Sequence, residues 1–312
     1  MAAAIVLFLV GLVLIVKGGD YFVDSATWMA EVSGIPKFVI GATVVSLATT
    51  LPEIIVSITA ALEGKVDMAI GNAIGSVTAN TGLIMSIGVF FMAVAVSRKQ
   101  FMKKAMLLIA VICCLWVASM DGDVKAAEGI IFLIMFALFI YLNIQEARNC
   151  DEDTEMAVSK DKRSIIINLI KFAAGAAGIV IGSDLLVDKG SLIASYMGVP
   201  ESVIALTAVA IGTSLPELVT TVTAIIKKES AISIGNIVGA NIIDMALILP
   251  ACALVSGGSI PVEAQTIRLD MPVCLGVSLV MLIPALVKEK FLKWQSVVAL
   301  CIYIAYLVVV CI

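Results

Sequence analysis

Apolar residues in this chain run in long stretches broken by short charged segments. A helix needs about 20 such residues to cross a bilayer core of roughly 30 Å. Ten stretches qualify: 3–23, 38–62, 67–96, 102–120, 127–145, 165–187, 202–226, 231–255, 270–287 and 294–312. The pattern predicts an all-α membrane protein of ten transmembrane helices. The stretch at 67–96 is long for one crossing and is expected to tilt or to be interrupted at its glycines. The first 16 residues lack the basic n-region of a signal peptide and read as a first transmembrane helix. The only substantial polar linker, 146–163 (EARNCDEDTEMAVSKDKR), divides the chain into halves of five spans, 1–145 and 164–312.

Lys and Arg concentrate in cytoplasmic loops, and here they sort by loop parity. Loops after odd-numbered spans carry Lys37, Arg98, Lys99, Lys103, Lys104, Arg148, Lys160, Lys162, Arg163, Lys227, Lys228, Lys288, Lys290 and Lys293. The others carry only Lys65, Lys125, Lys189 and Arg268. The linker is therefore expected to be cytoplasmic, with both termini extracellular in a multi-pass cell-membrane protein. Each half crosses an odd number of times, so the second enters from the side opposite the first. Inverted repeats of this kind are typical of alternating-access transporters, which bind substrate near the midplane between repeats.

Composition agrees, with 61% hydrophobic residues and a mean hydropathy of +1.13, too apolar for a soluble surface. A net charge of −4 supplies no basic field for nucleic acid. Histidine is absent, so no imidazole is available for proton relay or metal binding. Most of the seven cysteines, Cys113, Cys114, Cys252, Cys274, Cys301 and Cys311, fall in or near apolar runs and read as small hydrophobes. No hydrolase or nucleotide-binding motif is visible, and no P-loop. The expectation is a non-enzyme without a cofactor, driven by ion gradients.

The halves also match in sequence. A gapless shift of 164 positions superposes Asp20 on Asp184, Asp24 on Asp188, Gly34 on Gly198, Pro36 on Pro200, Pro52 on Pro216, Glu53 on Glu217, Asn72 on Asn236 and Asn80 on Asp244. Residues 41–53 read GATVVSLATTLPE and 205–217 read ALTAVAIGTSLPE. A carboxylate inside an apolar span is expensive and marks a functional site; a structural kink needs no glutamate. Pro52 has no N–H to give the carbonyl of Ala48, and Pro216 none for Gly212, so each proline loosens a helical turn. Thr49 and Thr50 stand four and three residues before Glu53 and share its helix face, as Thr213 and Ser214 do with Glu217. Each half thus supplies a carboxylate, two hydroxyls and loosened carbonyls. These are hard oxygen donors, suited to Na⁺, Ca²⁺ or Mg²⁺ rather than zinc or copper. For Thr49 and Thr213 the alternative is back-bonding to the helix.

The next helices read IGNAIGSVTAN (70–80) and IGNIVGANIID (234–244). Asn72, Ser76 and Asn80 recur every four residues along one face. Gly71 and Gly75, like Gly235 and Gly239, make small-xxx-small patterns for close helix approach. Asn72 and Asn236 either bond across helices or touch an ion, with the bond preferred. Ser76, Asn80 and Asp244 are better ligand candidates. Asp20, Asp24, Asp184 and Asp188 fall at helix ends, as acidic mouths or as solvated termini.

The paired TTLPE and GTSLPE, each followed by GNxxG, resemble the motifs of the calcium/cation antiporter family, in particular its prokaryotic Na⁺/Ca²⁺ exchanger branch, over essentially the whole chain. The resemblance implies that Glu53 and Glu217 are carboxylates shared by Ca²⁺ and Na⁺. Thr49 and Thr213 would bind beside them, with carbonyl ligands at Ser46 and Ala210. Thr50, Ser76 and Ser214 would serve flanking Na⁺ sites, and Asn80 with Asp244 would form the central polar pair. Where the family has Gly and Ser, this chain has Ala48 and Thr50. Ala240 replaces a common Ser opposite Ser76, and a methyl cannot coordinate Na⁺, which puts a strict three-to-one stoichiometry in question. The partners implied are Ca²⁺, Na⁺ and the lipid bilayer. Ca²⁺/H⁺ exchange is the alternative, with a cation channel behind it.

Overall fold

The computed structural model describes residues 2–92, 95–149, 161–197 and 212–311. Described residues are mostly helical. Helix α1 (Ala2–Ser33) leads to a bent pair, α2 (Lys37–Thr49) and α3 (Leu51–Leu62), which meet at 45°. Then come α4 (Val66–Phe91), α5 (Arg98–Ala118), α6 (Ala126–Arg148), α7 (Lys162–Tyr196) and α8 (Leu215–Lys227). The chain closes with α9 (Ser230–Val255), α10 (Thr266–Lys288) and α11 (Lys293–Cys311). Eight helices are long and apolar enough to cross a membrane, and the bent pair brings the number to nine among the described residues. Helix α8 falls within the expected span 202–226, whose first ten residues lie outside the described ones, as do 150–160 of the linker.

Two boundaries differ from expectation. Helices α1 and α7 continue to Ser33 and Tyr196, well past the apolar runs at 3–23 and 165–187. Their polar ends are helical because they still pack on neighbours. Asp20 and Asp24 therefore sit within a helix, and both pair with Lys227 at 3.3 and 2.9 Å. Lys104, counted above as a loop charge, is fully buried in α5; its Nζ lies 2.5 Å from Glu146 and 4.7 Å from the centre of the Phe38 ring.

Helices α4 and α9 form the centre, with 72% and 83% of their apolar windows buried, against 28% and 22% for α1 and α7 at the lipid boundary. Helix α4 is not interrupted at Gly71 or Gly75; it carries a π-turn at Asn80–Met85, and α9 carries one at Asp244–Ile248. The two begin at positions matched by the 164-residue shift. A π-turn inserts a residue into the helical ladder and recurs at functional sites.

The close contacts pair crosswise. Helices α1 and α7 run antiparallel through glycines: a Cβ on Gly11 would stand 3.0 Å from the Gly182 carbonyl oxygen, and one on Gly18 would stand 2.9 Å from that of Gly175. Gly175 and Gly182 are the repeat mates of Gly11 and Gly18. On α9, a Cβ at Gly235 would come within 2.3 Å of the Phe38 carbonyl oxygen, and one at Gly239 within 2.5 Å of Ser46 Oγ. These two glycines thus let α2 and α9 touch backbone to backbone, as their spacing suggests. Gly71 and Gly75 have no described atom as near; the mates of Phe38 and Ala42, positions 202 and 206, lie outside the described residues.

Loop contacts respect loop parity. Lys37 bonds Glu229 at 2.8 Å and Ala95 pairs with Lys290, joining loops of one set. Strands β1 (Asp123–Lys125) and β2 (Ser259–Pro261) pair antiparallel and join loops of the other.

Gly235→Val should lower the thermal stability of the detergent-solubilised protein by about 1–3 kcal/mol, because the added carbons meet backbone that cannot retreat. Gly276, with open space around it, should accept Ala within about 0.5 kcal/mol. Melting followed by size-exclusion chromatography measures both.

Candidate functional site

Each proline places its glutamate at the start of a helix. Thr50 (φ −82°, ψ −3°) and Ser214 (φ −88°, ψ 3°) occupy matched positions with nearly equal dihedrals, just before α3 and α8. In each case the next helix begins Leu-Pro-Glu, and the bend residue's carbonyl accepts the N–H four residues on, Ile54 at 3.0 Å and Leu218 at 3.1 Å. Glu53 and Glu217 are 1% and 0% exposed. They lie close enough to act on each other, and Glu53 also feels Asp244. The hydroxyls of Thr49 and Thr50, from the first half, stand beside the carboxylate of Glu217, from the second.

The asparagines before the two π-turns cross between halves. Thr49 donates its hydroxyl to Asn236 Oδ1 at 3.0 Å, and Thr213 donates to Asn72 Oδ1 at 3.1 Å. These bonds exchange under the 164-residue shift, and they match the reading of both asparagines as bonded across helices. Their amide nitrogens differ. Asn72 Nδ2 donates to Ser57 Oγ at 2.9 Å and, at 3.4 Å, to the carbonyl of Glu53. Ser57's mate, Thr221, is engaged by Ser233 at 3.3 Å, and Asn236 Nδ2 has no partner.

Buried polar atoms are nearly always paired, so the exceptions are informative. Both carboxylate oxygens of Glu53, Glu217 and Asp244, the hydroxyls of Thr50 and Ser214, and Asn80 Oδ1 are buried without a hydrogen bond among the described residues. Scattered hydroxyls and one amide, of Ser25, Thr27, Ser183, Ser256, Ser278, Ser296 and Asn143, are unbonded as well, but only at this centre are the unbonded atoms whole carboxylates and their neighbours. Such a concentration of free oxygens, most of them acceptors only, fits a cation. Among the described residues no three His, Cys, Asp or Glu side chains group closely enough to hold a metal alone. A cation here would therefore also draw on hydroxyl, amide or carbonyl oxygen.

Ser76 is buried on α4, one turn before Asn80. The Ser46 carbonyl accepts Thr50 N–H at 2.9 Å and stands 3.3 Å from the Thr49 hydroxyl, because the helix persists to Thr49. Ala210 lies outside the described residues. Of the outer acids, Asp188 pairs with Lys189 at 2.9 Å. Asp184 and Asp188 line a cavity of about 510 Å³ that reaches Pro52, Asn72, Gly212 and Thr213.

Sequence reading missed Asn241 and Thr81. Both are 1% exposed, and they bond each other, Asn241 Nδ2 to Thr81 Oγ1, at 2.8 Å. An asparagine inside an apolar run is itself a signal. It escaped notice because its repeat mate is Val77, and the superposition selects matched polar pairs.

A multi-pass helical bundle with a central cluster of unpaired oxygens has the form of a membrane cation transporter. The chain belongs to the sodium/calcium exchanger protein family, whose profile matches residues 3–145 and 167–312. It is 32% identical to the inner membrane protein YrbG of Escherichia coli, over 83% of this chain and 82% of that one. It is 29% identical to the sodium/calcium exchanger MaX1 of Methanosarcina acetivorans, over 97% of each. Among solved structures, the sodium-calcium exchanger NCX_Mj soaked with 2.5 mM Na⁺ and 10 mM Sr²⁺ superposes with a TM-score of 0.85 at 29% identity, covering 97% of both chains.

A double-mutant cycle of Thr49→Val and Asn236→Leu should show a coupling of about 1 kcal/mol in thermal stability, and Thr213→Val with Asn72→Leu a similar one. Additive effects within either pair would contradict the crosswise bonds.

Proposed function

We propose that this protein is a secondary-active antiporter exchanging Na⁺ for Ca²⁺ across the cell membrane by alternating access. The observation that carries this reading is the set of unpaired buried oxygens on Glu53, Glu217, Asp244, Thr50, Ser214 and Asn80, in a chain of the sodium/calcium exchanger family. Glu53 and Glu217 are the shared carboxylates. Thr49, Thr213, Thr50, Ser214 and Ser76 are the hydroxyl ligands, Asn80 and Asp244 the central pair, and Ser46 and Ala210 the carbonyl ligands. Na⁺ and Ca²⁺ have similar radii, so one oxygen cage accepts either; charge separates them, several Na⁺ balancing what one Ca²⁺ does.

The architecture we infer is ten helices in two inverted repeats, 1–145 and 164–312, joined by a cytoplasmic linker at 146–163, with both termini outside. Three observations support it: the crosswise glycine and Thr–Asn contacts, the matched π-turns, and loop contacts that, among the described residues, stay within one parity set. In this conformation the cavity beside Asp184 and Asp188 reaches the site from the face that loop charge makes external. On the opposite face Lys227 is tied to Asp20 and Asp24, and Lys37 to Glu229.

Coupling follows from electrostatics. Carboxylates left empty in a dry interior cost several kcal/mol per ion. The ion-free protein is therefore hindered from switching sides, and exchange prevails over leak. A three-for-one cycle would move one net charge, worth about 2.3 kcal/mol per 100 mV. Ala240, fully buried where Ser76 has its mate, removes a hydroxyl from one flank and weakens one Na⁺ site.

In proteoliposomes an outward Na⁺ gradient should drive Ca²⁺ uptake, and Glu53→Gln or Glu217→Gln should reduce it about 100-fold or more, as expected when a site loses a charge it was built around. Uptake that follows pH and ignores Na⁺ would overturn the assignment in favour of Ca²⁺/H⁺ exchange. Ala240→Ser should steepen the dependence of uptake on the Na⁺ gradient; an unchanged curve would remove position 240 from the ligand set.

A further inference from the structure

Asn80 and Asp244 are repeat mates, yet their surroundings differ in kind. Asn80 Nδ2 donates to Asn241 Oδ1 at 3.1 Å, and Asn241 Nδ2 donates to Thr81 Oγ1 at 2.8 Å. One residue of α9 thus grips two consecutive residues of α4, at the first two positions of its π-turn. All three side chains are 1% exposed. Under the 164-residue shift the grip has no counterpart: Asn241 matches Val77 and Thr81 matches Met245, both fully buried and apolar. Asp244 has neither oxygen bonded.

The chemistry of the two groups accounts for the difference. A carboxylate presents oxygen whichever way it turns. A carboxamide presents oxygen at one end and two N–H donors at the other, and the ends have nearly the same shape, so packing cannot choose between them. Facing a cation, the wrong end is repulsive. Only a hydrogen-bond partner can set the choice. Asn241 Oδ1 takes the amino end of Asn80 and leaves Oδ1 as the free end, buried and without a donor. Asn241 is itself held by its bond to Thr81.

We infer that Asn241 is a positioning residue for ion binding: with Thr81 it holds the Asn80 amide so that its oxygen is the end available to the transported cation. The inference rests on the exchanger reading above. It accounts for a polar pair, Asn241 and Thr81, standing beside the amide while the mated positions Val77 and Met245 are apolar.

The test is the kinetics of Na⁺-driven Ca²⁺ uptake with Asn241→Leu, in the wild-type and in the Asn80→Asp background. Purified variants are checked for monodispersity, and Ca²⁺ binding is measured by calorimetry in detergent. Asn241→Leu should raise the KM and the Ca²⁺ dissociation constant about tenfold, with maximal rate within about twofold. With aspartate at position 80 the penalty should shrink to less than about threefold, because a carboxylate needs no orienting. Equal penalties in both backgrounds would reduce Asn241 to a packing role and overturn the inference, as would an unchanged KM or a loss confined to maximal rate. If either variant fails to fold, Thr81→Val takes its place, since Thr81 is not among the proposed ion ligands. It should raise KM about threefold by freeing Asn241 to turn, and no change would overturn the proposal. Wild-type protein that shows no Na⁺-driven uptake would refute the exchanger reading instead.

Discussion

Glu53, Glu217 and Asp244 bring three carboxyl groups into the least exposed part of an apolar bundle, and the rest of the structure answers to that burden. Ionised groups in such surroundings must find compensation. Among the described residues no lysine or arginine pairs with them; the buried Lys104 is spent on Glu146. What gathers around the acids instead is oxygen, from threonine, serine and asparagine. Acids left unbonded in such surroundings, while the asparagines are tied across helices, need a proton or a metal cation to neutralise them, which is why the cluster reads as a site and not as a structural network.

Around this centre the bundle divides its labour. Helices α4 and α9 form a rigid, almost wholly buried core, while α1 and α7 lie at the lipid boundary and touch each other through glycine. Contacts between bare backbones hold by close van der Waals packing. Beside them Phe22 of α1 stacks on Phe172 of α7 at 4.6 Å, and Ile179 is buried in the same cluster. The ion pairs of Lys227 and Lys37 are partly exposed, so each contributes little to stability and is easily broken.

Much of this was legible along the chain, because bilayer physics writes itself plainly into sequence. Hydrophobic length marks helices and loop charge marks their sides. An acid within an apolar run marks a site, and duplication multiplies the confidence of each mark: Thr49 and Asn236 could be paired with Thr213 and Asn72 before their bonds were seen. The same filter hid what the halves do not share. Asn241 and Thr81 face apolar mates, and the competition of Ser233 for Thr221 likewise has no echo at Ala69. Helix ends were misplaced where polar residues continue a helix against neighbours, as at Ser33 and Tyr196.

By itself the sequence determined that the chain lives in a membrane, that its halves match, and that matched acids, hydroxyls and amides of the kind suited to hard cations recur within apolar spans. These follow from residue type and spacing, which hydrophobic burial and helix geometry translate directly. Tertiary structure alone decided which oxygens remain free. Pairing depends on contacts between residues some 160 to 190 positions apart, such as Thr49 with Asn236 and Asn80 with Asn241. No local rule reaches that far, because hydrogen bonds are assigned by where helices cross and not by what each helix contains.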